Sequence, residues 1–310
     1  MKPAKMGVFL PAVLCTALWG SAIPAVKSGY VLFSIAGDAA AAKLFFAGCR
    51  FALAGLLVLA FVAARRNRLR PEPGAWPGIL ALSAAQTVMQ YIFYYIGLSH
   101  TTGVRGSVLS ATSTFFAVLA AHFAFADDRL TIRKGVGCLA GFAGVVVILS
   151  GAGLGGQGIR LTGEGFMLLS ALGQGLGAGI SRKITPGRDP MRLTGWQLTV
   201  GGLVLLAVGA IGGGAAGLTW SPAGVGLLLY LSLLSAVAFT VWTMLLKEHP
   251  VGKVTVYMFL IPVFGSLLSA CILQEEVFTL RNLAALLLVC AGIAAVNYQG
   301  QKPADTAQHR

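Results

Sequence analysis

One phrase occurs twice in this chain, 148 positions apart: Asp127-Asp128-Arg129-Leu130-Thr131-Ile132-Arg133 is answered by Glu275-Glu276-Val277-Phe278-Thr279-Leu280-Arg281. Ala143-Gly144 and Ala291-Gly292 keep the same register, and Gly7 and Lys27 match Gly163 and Lys183 at an offset of 156. Each copy is flanked by long apolar stretches. A unit of this size that is repeated must fold twice in the same way. In a hydrophobic chain such repeats point to the internally duplicated architecture of membrane carriers. The difference between the offsets places about eight extra residues in the first half, around Gly37 to Lys43.

Lipid must be the solvent for most of the chain. Only 11% of its 310 residues are charged and 56% are hydrophobic, whereas a soluble domain carries about 25% charged residues. The apolar runs are continuous rather than alternating, which favours helices over a barrel. Runs of about 20 residues give ten candidate spans: 8–32, 40–64, 75–97, 104–125, 135–151, 162–182, 193–214, 222–246, 254–273 and 282–299. The first lacks a small-residue cleavage site and reads as a mature span rather than a leader.

Lys and Arg set the orientation. With a cytoplasmic N-terminus, 17 of them fall inside: Lys2, Lys5, Arg65, Arg66, Arg68, Arg70, Arg129, Arg133, Lys134, Arg182, Lys183, Arg188, Arg192, Lys247, Lys253, Lys302 and Arg310. Only Arg105, Arg160 and Arg281 fall outside. Five spans per repeat is an odd number, so the second half inserts upside down relative to the first. The repeated phrase agrees, because its second copy has Asn282 where the first has Lys134. The expected fold is an all-α integral membrane protein of ten transmembrane helices. They form two inverted-topology five-helix repeats (1–152 and 160–300), with a cytoplasmic tail at 301–310 and both termini cytoplasmic.

The net charge of +13 sits in short loops, so it reads as topology and not as a nucleic-acid surface. The five cysteines, Cys15, Cys49, Cys138, Cys271 and Cys290, lie in apolar segments without metal-ligand spacing and read as packing residues. No metal or other cofactor is implied. A membrane enzyme fails on chemistry: His100 is followed by Arg105 rather than an acid, and no His/Asp cluster falls within the spans.

Intramembrane polar residues are therefore the candidate binding groups. Arg50 lies near the centre of the second span with no acidic residue in the middle of any span to pair with it. It either meets a substrate carboxylate or caps carbonyls or a hydroxyl between helices. Lys27 follows Pro24 by one turn, placed either to snorkel or to act as a gate or carboxylate contact. Trp19, two turns below, is away from the interfacial belt and serves as path wall or packing.

Gln86, Gln90 and Tyr94 recur at i, i+4 and i+8, with Tyr91 and Tyr95 flanking. Two amides and a phenol suit a zwitterionic or polar neutral solute, or else a hydrogen-bonded seam. Ser107, Ser110 and Thr114 line one face of the fourth span, where close packing competes with ligand contact. Gln174 lies among Gly173, Gly175, Gly177 and Gly179; Trp242 and Tyr257 are the large candidates of the second half. Trp196 reads as interfacial belt, and His100 and His122 as interfacial or packing residues. All ten carboxylates fall in loops or at span ends, which favours facilitated efflux or exchange over strong cation coupling.

Leu18-Trp19-Gly20-Ser21 with Pro24 and Lys27, Arg50, and Leu260-Ile261-Pro262-Val263 leading to Gln274-Glu275-Glu276 carry a resemblance to the EamA branch of the drug/metabolite transporter superfamily. Thr114, where that family often has proline, and Asp127-Asp128, where it often has glutamate, depart from its pattern. The resemblance covers nearly the whole chain. It implies a multi-pass carrier of the bacterial inner membrane, similar to YddG-type amino acid exporters, working by alternating access on amino acids or related small metabolites. The alternative within the same superfamily is a sugar-phosphate or nucleotide-sugar antiporter, for which Lys27 and Arg50 are thin support. The expected partners are a small-molecule substrate and the bilayer, with the protein a monomer.

Overall fold

The computed structural model describes residues 7–100, 109–150, 161–273 and 280–297, and all regular structure among them is helical. In chain order, α1 is Phe9–Leu32 and α2 Ala40–Ala64. Next come α3 (Trp76–Leu82), a π-helical stretch Ser83–Met89 and α4 (Gln90–His100). Then follow α5 (Ser113–Ala124), α6 (Ile132–Ser150) and, after a π turn at Leu161–Gly165, α7 (Phe166–Ile184). The chain continues through α8 (Pro190–Ile211), α9 (Pro222–Glu248) and α10 (Val251–Thr255). A 3-10 turn at Val256–Phe259 leads into α11 (Leu260–Leu273), and α12 is Leu280–Asn297.

Five helices among the described residues are long and apolar enough to cross a bilayer: Phe9–Leu32, Ala40–Ala64, Trp76–Gly97, Pro190–Ile211 and Pro222–Glu248. Shorter apolar helices run over Leu109–Ala124, Val251–Gly265 and Leu286–Asn297. Leu10, Phe123, Ile132 and Ile211 are each at least three-quarters exposed, a pattern that lipid tolerates and water does not. The second copy of the repeated phrase up to Thr279, Arg105, Ser107, Arg160 and the tail lie outside the described residues.

Local sequence explains several helix ends. Asp189 and Ser221 each precede a proline; their side chains accept from Met191 N and Gly224 N, so α8 and α9 open with a cap and a proline in the first turn. Two non-glycine residues, Ser34 and Arg66, take φ of 56° just past α1 and α2 and stop those helices.

The most extensive helix pairing joins α2 to α8. Glycines let the backbones touch. A Cβ on Gly48 would strike Leu206, and one on Gly55 would strike Thr199. In return Gly195 faces Leu59, Gly202 faces Ala52 and Gly209 faces Phe45. Rising numbers on α2 meet falling numbers on α8, so the helices are antiparallel. A shift of 147 carries the pair Gly48/Leu206 onto Leu59/Gly195 and the pair Gly55/Thr199 onto Ala52/Gly202 with roles exchanged. That exchange is what a two-fold axis between the helices requires. The α6–α12 pair repeats the arrangement: Gly137 faces Gly292 and Val296, and Gly292 faces Gly141.

The glycine contacts also relate α1 to α7. Gly20 of α1 meets Phe264 and Gly265 as Gly175 of α7 meets Phe116 and Ala117. That correspondence is an offset of 155, one residue from the Gly7–Gly163 and Lys27–Lys183 match, against 147 for α2 and α8. The eight-residue difference falls between the middle of α1 and the glycine seam of α2, the stretch that contains Gly37 to Lys43.

Four basic segments meet at one end of the bundle. Arg182 Nη1 and Lys134 Nζ reach Asp128 at 3.2 and 2.5 Å, and Gly252 N donates to the same carboxylate. Arg182 Nη2 pairs with Asp127 at 2.5 Å, and its guanidinium lies over the Phe125 ring. Glu72 pairs with Arg192 at 2.6 Å, Trp196 Nε1 donates to Leu69 O, and Lys247 Nζ donates to Arg188 O. Asp128, read from the sequence as a loop residue, is fully buried. Two cations and a backbone N–H offset its desolvation. At the opposite end Thr219 N donates to Phe33 O, and the Phe33 and Trp220 rings stack edge to face.

Candidate functional site

A cavity of about 160 Å³ opens between the halves in the part of the bundle away from the basic end. On α1, Trp19, Ala22, Val26, Lys27 and Tyr30 line it, the spacing of a single helical face. Arg50 enters from α2, and Gln90, Tyr91, Tyr94 and Tyr95 from α4. Ser110, Ala111 and Ser113 close the side formed by the fourth apolar segment. The second half supplies Ser170 and Gln174 from α7, Phe239 from α9, Met258 from the 3-10 turn, and Ile261 and Pro262 from α11.

Arg50 is only 3% exposed. Its Nε donates to Ser235 Oγ at 2.9 Å, and that hydroxyl in turn donates to Leu231 O. The guanidinium carbon lies 4.9 Å from the Phe51 ring centroid, and Tyr95 is a further hydrogen-bonding neighbour. The hydroxyl contact between helices expected for Arg50 is present, and Arg50 lines the cavity as well. Lys27 is exposed and faces the same space. Neither cation has a carboxylate partner among the described residues.

Tyr91 stacks against Phe51 with centroids 4.3 Å apart, and Tyr94 and Tyr95 contact edge to face. Trp19 packs at 5.0 Å against Trp242, which is 1% exposed and lies behind the cavity wall. Among the described residues neither indole N–H has an acceptor, and Gln90 Oε1 and Ser110 Oγ are also buried without a partner. The groups of Trp19, Gln90 and Ser110, which line the cavity, are those a polar solute would satisfy.

Eight of the sequence candidates line the cavity: Trp19, Lys27, Arg50, Gln90, Tyr91, Tyr94, Ser110 and Gln174. Three do not. Trp242 is packed behind Trp19; Tyr257, 4% exposed, packs toward Phe9 near the basic end. Gln86 is turned against Gly177 of α7. The expected i, i+4, i+8 face assumes an unbroken α-helix, and the π stretch over Ser83–Met89 changes the angular step between Gln86 and Gln90. Thr114 also points away from the cavity: its Oγ1 donates to Thr255 O at 3.2 Å, tying α5 to α10.

The sequence reading missed Tyr30, Ser113, Ser170, Phe239 and Met258. Tyr30 shares the α1 face of Trp19 and Lys27 and was legible from that periodicity. Phe239 and Met258 carry no polar signal. The glycines of α7 prove to be contact points: Gly173 meets Ala85 O and Gln90 N, Gly175 meets Phe116 and Ala117, and Gly177 meets Gln86. Gly173 and Gly177 seat α7 against the segment that presents Gln90, and Gly175 seats it against α5.

The sequence profile described as the EamA-like transporter family matches residues 6–150 and 161–298. Among curated proteins, the uncharacterized transporter YvbV of Bacillus subtilis is 32% identical over 82% of this chain and 82% of its own. An uncharacterized transporter of Archaeoglobus fulgidus is 28% identical over 73% of this chain and 78% of its own. A protein of Escherichia coli named a probable amino-acid metabolite efflux pump is 26% identical over 90% of this chain and 91% of its own. A solved crystal structure superposes with a TM-score of 0.73 at 20% identity, covering 93% of this chain and 95% of that one, which shows a shared fold.

Proposed function

The chain belongs to the EamA-like transporter family of multi-pass membrane proteins, and on that premise we propose that it is a carrier exporting amino acids or related small metabolites by alternating access. In this reading ten helices span the bacterial inner membrane as two inverted five-helix units, 1–152 and 160–300. Both termini and the basic end face the cytoplasm, and the protein acts as a monomer. The single observation that carries the reading is the cavity: it lies between the two halves and holds Arg50 and unmet polar groups. The relative named an efflux pump supports the solute class.

The proposed substrate-contacting residues are Trp19, Lys27, Arg50, Gln90, Tyr91, Tyr94, Ser110 and Gln174. Trp242 stands behind them as support for Trp19. A sugar-phosphate substrate is disfavoured, because aromatic rings form much of the wall and two cations are few for a phosphate dianion and a polyhydroxylated body. The test is uptake of a panel of labelled amino acids and their small carboxylate relatives into liposomes holding the purified protein, with and without a pH gradient. Saturable uptake without gradient dependence is expected. Exchange of phosphorylated sugars with none of the panel moving would overturn the reading.

A further inference from the structure

We infer that the solute this cavity holds is a net anion: a small carboxylate with an aromatic or apolar body and no ammonium group. The membrane potential is then its driving force. The inference rests on the carrier reading above and concerns the charge of what is carried.

The cavity contains two cationic side chains and no carboxylate among its lining residues. Arg50 supplies a guanidinium to the cavity wall. It is almost fully buried, and its hydrogen-bonding neighbours, Ser235 and Tyr95, are neutral hydroxyls. Lys27 faces the same space. None of the described acids is among the lining residues. Asp128, Asp127 and Glu72 are engaged with cations at the basic end, and Asp38 lies in the loop before α2 beside Lys43. Glu164 is buried in the π turn before α7, Asp189 caps α8, and Glu248 ends α9.

A bound monocarboxylate would bring the buried guanidinium the counter-charge it lacks. An α-amino acid would bring that carboxylate together with an ammonium, and would place it in a positive field with no acid to receive it. Gln90 Oε1 offers the ammonium one neutral acceptor, which is a weaker partner than a charged one. The rest of the wall is Trp19, Tyr30, Tyr91, Tyr94 and Phe239. At about 160 Å³ the space matches a single-ring solute, since a protein void of about 150 Å³ holds benzene.

The driving force follows from the same charge count. No carboxylate occurs mid-span to carry protons. A monoanion moving alone needs none, because an inside-negative potential expels it, by about fifty-fold at equilibrium for each 100 mV.

The experiment uses the full-length protein in liposomes with a potassium diffusion potential of either sign set by valinomycin, and protein-free liposomes as the blank. Four labelled solutes are compared: 3-phenylpropanoate, phenylalanine, phenethylamine and glucose 6-phosphate. The expected result is that inside-positive vesicles accumulate phenylpropanoate above the external concentration, and that phenylalanine moves at least about tenfold more slowly. Lys27→Gln, a change at an exposed side chain, should reduce that preference to within about threefold while the protein remains folded by thermal melting. Phenylalanine moving as fast as phenylpropanoate, or accumulation that ignores the potential, overturns the anion inference and leaves the carrier reading intact. Movement of glucose 6-phosphate alone overturns both, as does the absence of any protein-dependent movement.

Discussion

Gln86 and Gln90 are the same residue type one nominal turn apart, yet they have different work. Gln90 presents an unmet carbonyl oxygen to the cavity, and Gln86 fills the space left by Gly177. Replacing Gln90 with Ala should lower the transport rate by about three- to tenfold, the worth of one hydrogen bond to substrate. Gln86→Ala should leave the rate within about twofold and instead lower the melting temperature through a cavity at the α7 contact. Steady-state uptake and thermal unfolding of the two variants separate these roles. Arg50→Ala should cost more, roughly ten- to a hundredfold in uptake, because the lost contact is to a charged group. Arg50 was legible in the sequence because a charge in the middle of an apolar run has few structural uses. Phe239 and Met258 were not, because an apolar side chain gives the same signal on a cavity wall as in a core.

At the scale of elements, the helices and most of their ends could be read from apolar length and from the Asp-Pro and Ser-Pro starts of α8 and α9. The π stretch could not, since Ser83–Met89 has no proline or glycine to mark it. The phrase at Asp127 is conspicuous because charges stand out in an apolar chain, and its second copy up to Thr279 lies outside the described residues. The less conspicuous glycines at 48 and 55, and at 195, 202 and 209, repeat every seven residues and carry the α2–α8 contact. At those positions the opposing atoms include backbone, which has no rotamer to give. Gly55→Val should therefore destabilise the protein by about 1–3 kcal/mol, as overpacking does, with a visible fall in the melting temperature in detergent. Gly226, with open space around its Cβ position, is the control: Gly226→Ala should leave the melting temperature unchanged or slightly raised.

For the whole molecule, the charged ties between segments gather at the basic end. Asp128 joins the segments around Lys134, Arg182 and Gly252 at the basic end, and Glu72 joins the α2–α3 link to α8. Asp128→Asn leaves two cations facing a neutral amide, and removing one partner of a buried pair costs about 3–5 kcal/mol. Asp127 is exposed, with 68% of its side chain open to solvent, and Asp127→Asn should cost under about 1 kcal/mol. Thermal unfolding should rank the two variants in that order. Charge counting along the sequence assigned the segments around Arg65, Arg129, Arg182 and Lys247 to one side, and contacts among them do bring them to one end. It did not show that an acid would be buried among them, because the partners of Asp128 come from segments far apart in the chain.

The α2–α8 seam also bears on the direction of the two halves. Its two faces are one surface used twice: each glycine hollow on one helix receives from the other a residue whose own counterpart fills the equivalent hollow. A surface of that kind is self-complementary only when the two copies point in opposite directions. One half alone could form this seam only with a copy of itself turned the other way; here a single chain supplies both directions at once.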